Sequence, residues 1–264
     1  MATAAIALIA GADGSVAARL ALGMLGLQFA IGAANDLADA PSDRGRSGKP
    51  IPAGILSRRQ VGVIFVAALL AGLLAAASVG VIALIIGIVG LADGLLYDLR
   101  LKSTPFAWVA FAAGVGLLPV YAWWGATGCL PTAFMGIVPA AMLAGSALAL
   151  ANAVADLEKD ALAGVTSIAT LIGHRASLAL DGLLVGLVQG IVASTSLAFC
   201  QPLNAATTRA AVAGITLGWL GVALTARRIG RGGQLGWEVQ ALGMVILGAA
   251  WLAALGTTGL LQPC

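Results

Sequence analysis

The sequence predicts an all-α protein that crosses a membrane several times as a polytopic transmembrane helical bundle. Hydrophobic residues make up 60% of the chain and charged residues only 9%, whereas a soluble domain carries about 25% charged residues. The apolar run VGVIFVAALLAGLLAAASVGVIALIIGIVGLA, residues 61–92, is longer than the ~20 residues that one bilayer crossing requires. The 36 glycines suit close packing between helices in lipid.

Eight apolar blocks are long enough for full spans, and a shorter block precedes them. The eight predicted helices cover residues 14–38, 59–78, 80–97, 105–126, 132–154, 175–198, 208–227 and 236–260. The stretch ATAAIALIA, residues 2–10, would reach less than half of a bilayer at ~1.5 Å per residue. We expect it to be the end of a first helix whose front half is missing. The prediction is therefore a single domain, residues 1–264, with eight full spans plus a partial first helix.

The basic residues predict the orientation of the bundle. Twelve of the fourteen Lys and Arg residues fall on one predicted face, whereas Arg19 and Arg209 fall on the other. Cytoplasmic loops carry the excess of Lys and Arg in membrane proteins, so the basic face is predicted to be cytoplasmic. Because the basic residues are divided among four short loops, we expect no nucleic-acid partner.

Two acidic clusters share one sequence pattern. NDLADAPSD, residues 35–43, and NAVADLEKD, residues 152–160, both read N-x-x-A-D-x-x-x-D. Spacings of four and eight residues follow one side of a helix, although Pro41 is expected to end the first helix. Four predicted spans separate the clusters, so both are expected on the cytoplasmic face.

Crowded carboxylates of this kind indicate a cation site. Carboxylates at high density repel one another unless a cation lies between them, and Mg²⁺ commonly bridges one or two carboxylates to substrate phosphates. We predict two magnesium sites that face each other and hold one diphosphate. The predicted metal ligands are Asp36, Asp39, Asp43, Asp156 and Asp160, with Asn35 and Asn152 at the diphosphate. The alternative is a pair of solvated acidic loops matched by nearby Lys and Arg.

Basic side chains beside the clusters would stabilise a leaving diphosphate. Lys102 is the strongest candidate for a catalytic cation, because YDLRLK places it close to Tyr97 at a helix end. Taken singly, each of these cations is explained equally well by topology alone. The predicted diphosphate-binding residues are Lys49, Arg44, Arg46 and Arg100.

Asp93 lies one helical turn before Tyr97, on the same face of the predicted helix. An ionisable residue inside a membrane helix is a functional candidate by default. Asp93 could orient Tyr97, deprotonate an acceptor, or be a buried, hydrogen-bonded acid, and the sequence leaves these three roles open.

The combined motifs resemble those of the UbiA superfamily of intramembrane prenyltransferases. NDxxDxxxD followed by KPIPAG is similar to the first motif of that family, and DLEKDALAGVTSIATLIG is similar to the second. YDLRLK resembles the Tyr and Lys at the end of the fourth helix. The resemblance covers nearly the whole chain and includes the nine-helix count once the partial helix is included. Ala153 departs from it, since many members carry Asp there.

This resemblance implies transfer of an isoprenyl group from its diphosphate donor to an aromatic or lipid acceptor, with Mg²⁺ as cofactor. The protein would lie in the lipid bilayer with its active site at the cytoplasmic face. Tyr97, Phe106 or Trp108 would shield the carbocation by cation–π attraction. Trp123 and Trp124 are predicted to belong to the interfacial aromatic belt.

Two alternatives stay open. A membrane cation transporter would also contain acids, although near the bilayer midplane, and a UbiA-like protein could be inactive because of the short first helix. A CDP-alcohol phosphotransferase is excluded, because DGSVAAR at 13–19 has one residue too many for the motif of that class and no following acids. The acceptor, the donor length and the oligomeric state are not readable from the sequence.

Overall fold

The computed structural model describes residues 2–41, 48–199, 203–227 and 232–261, and all regular structure in these ranges is helical. Eight of the helices are long and apolar enough to cross a membrane, which confirms the predicted fold class. The helices are α1 Ala2–Ile9, α2 Gly14–Asp39, α3 Arg58–Ala77, α4 Val81–Leu96, α5 Ala107–Thr127, α6 Phe134–Ala155, α7 Leu157–Leu162, α8 Ile168–Phe199, α9 Ala205–Thr225 and α10 Gly232–Gly256.

Short polar residues set where several spans begin. The Asp13 carboxylate accepts hydrogen bonds from the backbone N–H groups of Ser15 and Val16 at 2.7 and 3.0 Å, and so caps α2. Ser57 and Gln60 form a capping box at the start of α3. At its other end α2 stops at Asp39, two residues before Pro41, as the sequence predicts.

The segment between α6 and α8 differs from the prediction. A short helix, α7, follows α6, and α8 begins at Ile168 rather than near residue 175. Gly173 interrupts α8 with φ +80° and ψ 163°, a conformation that side-chain-bearing residues rarely adopt. The predicted span therefore corresponds to the part of α8 after Gly173, and the five residues before Gly173 are too few to be recognised as a helix.

Glycine pairs bring neighbouring helices into backbone contact. A β-carbon added to Gly26 of α2 would lie 2.7 Å from the Cα of Gly72 on α3. On α10, a β-carbon at Gly243 would lie 2.6 Å from the backbone nitrogen of Gly218 on α9. Close approach through small residues is the expected way for helices to associate in lipid.

The prediction that Trp123 belongs to an interfacial belt is wrong. Its side chain is 2% exposed and packs on Phe134 at the start of α6, with ring centroids 5.4 Å apart. Trp123 faces α6 within the bundle, whereas its neighbour Trp124 is partly exposed. Adjacent residues on a helix point about 100° apart, so one tryptophan can be buried while the next is not.

The bundle contains an apolar cavity of about 220 Å³. Residues of α1, α5, α6, α8 and α10 line it, and the described lining residues carry apolar side chains, among them Leu148, Met244 and Trp251. We refer to it as the apolar cavity. A second, polar space lies at the end of the bundle where α2 and α6 end and α8 begins.

Candidate active site

Both acidic clusters open into one cavity of about 620 Å³, which we call the polar cavity. The prediction that the clusters lie at the same end of the bundle is therefore confirmed. The predicted site residues that line this cavity are Asn35, Asp39, Tyr97, Lys102, Asn152, Asp156 and Asp160. They come from α2, the end of α4, the end of α6 and α7.

Lys102 binds the first cluster directly. Its ammonium group lies 2.6 Å from Asp39 Oδ1 and 2.7 Å from Asn35 Oδ1. The side chains of Lys102 and Asp39 are each 26% exposed, so the pair is only partly accessible to water. Because Asn35 and Asp39 are four residues apart on α2, they share one helical face and the lysine can contact both.

A π-helical turn, Tyr97–Leu101, places Tyr97 and Lys102 on the same cavity wall. The backbone N–H of Lys102 donates to the carbonyl oxygen of Tyr97 at 2.8 Å, five residues earlier. In an uninterrupted α-helix, residues five apart point about 140° away from each other. The wider turn thus removes most of that angle, and π turns of this kind are frequent at functional sites.

The second cluster is more exposed. Asp156 accepts a hydrogen bond from Lys159 at 3.4 Å, and their side chains are 44% and 56% exposed. α6 ends at Ala155 and α7 starts at Leu157, so the predicted acidic strip bends at Asp156. The backbone N–H of Asp160 still donates to the carbonyl oxygen of Asp156 at 2.8 Å. This helical hydrogen bond keeps Asp156 and Asp160 one turn apart on the same side of the chain.

Burial raises the pKa of the Asp160 carboxyl, and the neighbouring Asp156 carboxylate raises it further. Lys159 and a hydrogen bond from Ser167 act in the opposite direction. A cation bound between Asp156 and Asp160 would relieve the repulsion that contributes to this shift. The second cluster therefore favours a positively charged ligand.

The polar cavity is not lined by four other predicted residues, Asp36, Lys49, Arg100 and Asp93. Asp36 faces away from it and accepts a hydrogen bond from Lys49 at 3.0 Å, because consecutive helical residues point about 100° apart. Arg100, on the π turn, is exposed and is not among the described residues that line the cavity. The remaining predicted residues, Asp43, Arg44 and Arg46, fall outside the described ranges.

Asp93 lines a neighbouring cavity of about 340 Å³ between α2, α4 and α5, which we call the Asp93 cavity. Tyr97, Asp98 and Phe111 line both this cavity and the polar cavity. The two spaces are therefore adjacent, with Tyr97 at their shared boundary.

The sequence prediction missed Asp98, Phe111 and Ser167 at the site. Asp98 follows Tyr97 and lines the polar cavity, and its acidic character in YDLRLK was a readable signal. Phe111 packs edge-on against Tyr97 with ring centroids 5.3 Å apart and an interplanar angle of 78°. No sequence signal distinguishes it from the other apolar residues of α5. Ser167 is 4% exposed and interacts with Asp160.

The donor set of the polar cavity fits Mg²⁺ that is shared with a ligand. Within the part of the chain that the structure describes, no three His, Cys, Asp or Glu side chains come together as a complete metal site. The oxygen donors instead occur as small groups, Asn35 with Asp39 and Asp156 with Asp160. Mg²⁺ usually takes one or two carboxylates from a protein and completes its shell with waters and substrate phosphates. A phosphate-bearing ligand would supply the missing oxygens.

The protein has eight helices of membrane-spanning length and a polar cavity lined by carboxylates and lysines. These features define a class of membrane protein with its site inside one end of the helical bundle. The chain belongs to the UbiA prenyltransferase family, whose sequence profile matches residues 1–234. This confirms the family resemblance of its motifs.

Solved structures of similar fold agree with that assignment. The apo structure of a UbiA homologue from Aeropyrum pernix K1 aligns with a TM-score of 0.75 and 20% identity over 94% of each chain. A UbiA homologue from Archaeoglobus fulgidus bound to GPP and Mg²⁺ aligns with a TM-score of 0.64 and 20% identity, over 95% of this chain and 94% of that one. A digeranylgeranylglyceryl phosphate synthase aligns with a TM-score of 0.61 and 15% identity, over 95% of this chain and 96% of that one. No curated protein sequence matches the chain.

Proposed function

We propose that this protein transfers an isoprenyl group from a diphosphate donor to an acceptor, with Mg²⁺ as cofactor. The observation that carries the proposal is the convergence of Asp39, Lys102, Asp156 and Asp160 in one cavity at the end of a membrane-spanning bundle. Membership in the UbiA prenyltransferase family supports it. Further support comes from homologues whose structures contain GPP or DMAPP together with Mg²⁺.

The diphosphate is proposed to bind in the polar cavity between the two clusters. Asp39, Asp156 and Asp160 would hold Mg²⁺, while Asn35 and Asn152 would contact the diphosphate. Asp43 stays a metal ligand predicted from the sequence alone, and Asp36, which binds Lys49, would support the first cluster from outside the cavity. Bound Mg²⁺ would supply positive charge that stabilises the diphosphate as a leaving group. Lys102, which already lies within 2.7 Å of Asn35 and Asp39, adds a fixed cation at the same wall.

The isoprenyl tail is proposed to extend into the apolar cavity. Ala149 of α6 lines the polar cavity, and the adjacent Leu148 lines the apolar cavity, so α6 leads from one to the other. An isoprenyl chain has no hydrogen-bonding groups and matches these apolar walls. The aromatic rings of Tyr97, Phe111 and Trp108 border the polar cavity, where they would exclude water and favour a developing carbocation.

The proposal is tested by measuring pyrophosphate release from the purified protein in lipid nanodiscs. Geranyl, farnesyl and geranylgeranyl diphosphate would each be offered with a panel of aromatic and lipid acceptors, with Mg²⁺ or with a chelator. We expect release that requires both Mg²⁺ and an acceptor. Asp13→Asn is the matched control for variants of the clusters, because Asp13 caps the opposite end of α2 and Asn caps equally well. Chelator-insensitive release would contradict the proposal.

The site is proposed to face the cytoplasm, as the distribution of basic residues predicts. Inside-out and right-side-out vesicles distinguish the two faces, because a charged diphosphate crosses lipid slowly. Donor added outside inside-out vesicles should be consumed, and the same donor should be spared by right-side-out vesicles until detergent is added. The opposite pattern would reverse the proposed orientation.

A further inference from the structure

The Asp93 cavity contains a carboxylate that the proposed donor site does not use. Asp93 lies in α4, within a span of mean hydropathy 2.0. Among the described residues, none forms a hydrogen bond or ion pair with the Asp93 side chain. Acids inside membrane helices are costly and normally pair with another group. An intramembrane carboxylate that faces a cavity without a protein partner points to a partner that enters the cavity.

The polar groups of this cavity are all acidic or neutral. Asp93, Asp98 and Gln28 are described lining residues, and no Lys, Arg or His is found among the described residues that line it. Gln28 makes only a long contact to the sulfur of Met24, at 3.8 Å. Lys102 and Lys49 lie close enough to Asp98 to offset its charge, but no such cation acts on Asp93 among the described residues. A ligand with a carboxylate or phosphate beside Asp93 would therefore meet an uncompensated acid, and burial strengthens such repulsion.

The two interior cavities therefore differ in chemistry. The apolar cavity offers nothing for a polar substrate to bind, whereas the Asp93 cavity is lined by two carboxylates, one amide and two tyrosines, Tyr97 and Tyr121. The Asp93 cavity also adjoins the polar cavity at Tyr97, where the donor's reacting carbon would lie if its diphosphate binds between the clusters. Asp93 is one helical turn, about 6 Å, from Tyr97 along the helix axis.

On this basis we propose that the Asp93 cavity is the acceptor site and that the acceptor presents an uncharged hydroxyl group to Asp93. The inference rests on the proposed prenyl-transfer function and names the acceptor class. In the reaction the C1–O bond of the donor breaks and its electron pair leaves with pyrophosphate. The acceptor's oxygen, or the ring carbon conjugated to it in a phenol, supplies the pair for the new bond to C1. One proton, from that oxygen or that carbon, passes to the Asp93 carboxylate.

A substitution at Gly114 offers a second way to test the proposed contact between the acceptor and Asp93. Gly114 lies on α5 next to the Asp93 carboxylate, and a β-carbon added there would lie 3.1 Å from Asp93 Oδ2. Gly114→Val would fill the space in front of the carboxylate without changing any charge. It should therefore impair acceptor use while donor binding is retained.

The first test compares acceptors that differ only in charge. Pairs such as 4-hydroxybenzyl alcohol with 4-hydroxybenzoate, and a long-chain glycerol ether with its phosphate, would be offered to the full-length protein in nanodiscs. We expect transfer to the neutral member of at least one pair, at least 10-fold faster than to its anionic partner. Transfer to the anions alone, equal use of both, or no transfer to any neutral hydroxyl compound would overturn the inference.

The second test asks whether Asp93 takes a proton. Asp93→Asn should reduce transfer to ordinary phenols by about 100-fold or more, the usual contribution of a general base. The loss should shrink to about 10-fold for difluorophenols, which are still uncharged at the assay pH but release their proton more readily than ordinary phenols, and Asp93→Glu should restore part of the activity. A purely structural role would lower transfer to all phenols equally. Asp181→Asn is the matched control, because Asp181 is a fully buried membrane acid that hydrogen-bonds Gln240 instead of facing this cavity.

Donor binding separates failure of this inference from failure of the proposed function. Calorimetric titration with a non-reactive thiolodiphosphate analogue of the donor measures Mg²⁺-dependent binding alone. Binding should be unchanged in Asp93→Asn and Gly114→Val. If the wild type binds no donor, the proposed function fails. If it binds donor but prefers anionic acceptors, only the acceptor inference fails.

Discussion

The two acidic clusters have the same sequence pattern and open into the same cavity, but their surroundings differ. Asp39 is held at 2.6 Å by Lys102, a residue 63 positions further along the chain, and both side chains are 26% exposed. Asp156, at the start of α7, has a lysine partner only three residues away, at 3.4 Å, and the side chains of Asp156 and Lys159 are 44% and 56% exposed.

This difference separates a fixed cation from an adjustable one. Lys102 connects the end of α4 to α2, so its position depends on the packing of two spans. Lys159 can reach Asp156 or turn into solvent without disturbing any span, because it is 56% exposed and its ion pair with Asp156 lies within one turn of the chain. Repeating a motif therefore does not repeat an electrostatic environment, since the lysine that pairs with the first cluster comes from a distant part of the chain, whereas the lysine of the second lies within the motif itself.

The largest expected effect concerns the carboxylates themselves. Asp39→Ala and Asp156→Ala should each reduce transfer by at least about 100-fold, since each removes a group proposed to hold the cation that stabilises the leaving diphosphate. Labelled prenyl transfer in nanodiscs measures this, with Asp13→Asn as the control. Wild-type turnover in either variant would show that the cluster to which the substituted residue belongs is not needed for transfer.

The lysines should separate the clusters more clearly. Lys102→Met should lower transfer by about 100-fold, because a positioned cation next to the leaving group is lost. Lys159→Met should lower it by less than about threefold, since an exposed ion pair contributes little. The comparison uses kcat and the donor KM measured for both variants. Equal losses would show that exposure does not decide which lysine acts on the diphosphate.

The smallest expected effect is on stability. In double-mutant cycles, the Lys102–Asp39 pair should show a coupling of about 1–2 kcal/mol, as for hydrogen bonds to charged groups. The exposed Lys159–Asp156 pair should show about 0.3 kcal/mol. Reversible unfolding by detergent titration gives the four free energies of unfolding for each cycle. A larger coupling for the exposed pair would contradict this ranking.

The sequence predicted the existence of all eight spans, because long apolar runs have only one stable form in lipid. It also placed the end of α2 correctly from Pro41. It did not reveal the start of α8, since the φ of Gly173 depends on the surrounding fold rather than on local composition. The buried position of Trp123 was missed for a similar reason, because composition does not show which face of α5 meets α6.

The sequence predicted that the two clusters lie at one end of the bundle, but not which of their residues line the polar cavity. Spacing correctly paired Asn35 with Asp39, whereas the same motif gave no indication that Asp36 would turn towards Lys49. Helical periodicity assumes 3.6 residues per turn, so it could not show that Tyr97 and Lys102 share a wall. The Asp93 cavity depends on three helices that are distant in sequence, and only the packed structure brings them together.

The π turn at Tyr97–Leu101 also has a consequence for protein engineering. Such a turn contains one residue more than the α-helical turn that it replaces. Removing a single residue, for example Leu99, would let the helix close into regular α geometry. Tyr97 and Lys102 would then be four residues apart, so that both could still lie on the same wall of the polar cavity. A residue inserted at the same place would instead turn the lysine away, so this short segment should tolerate shortening better than lengthening.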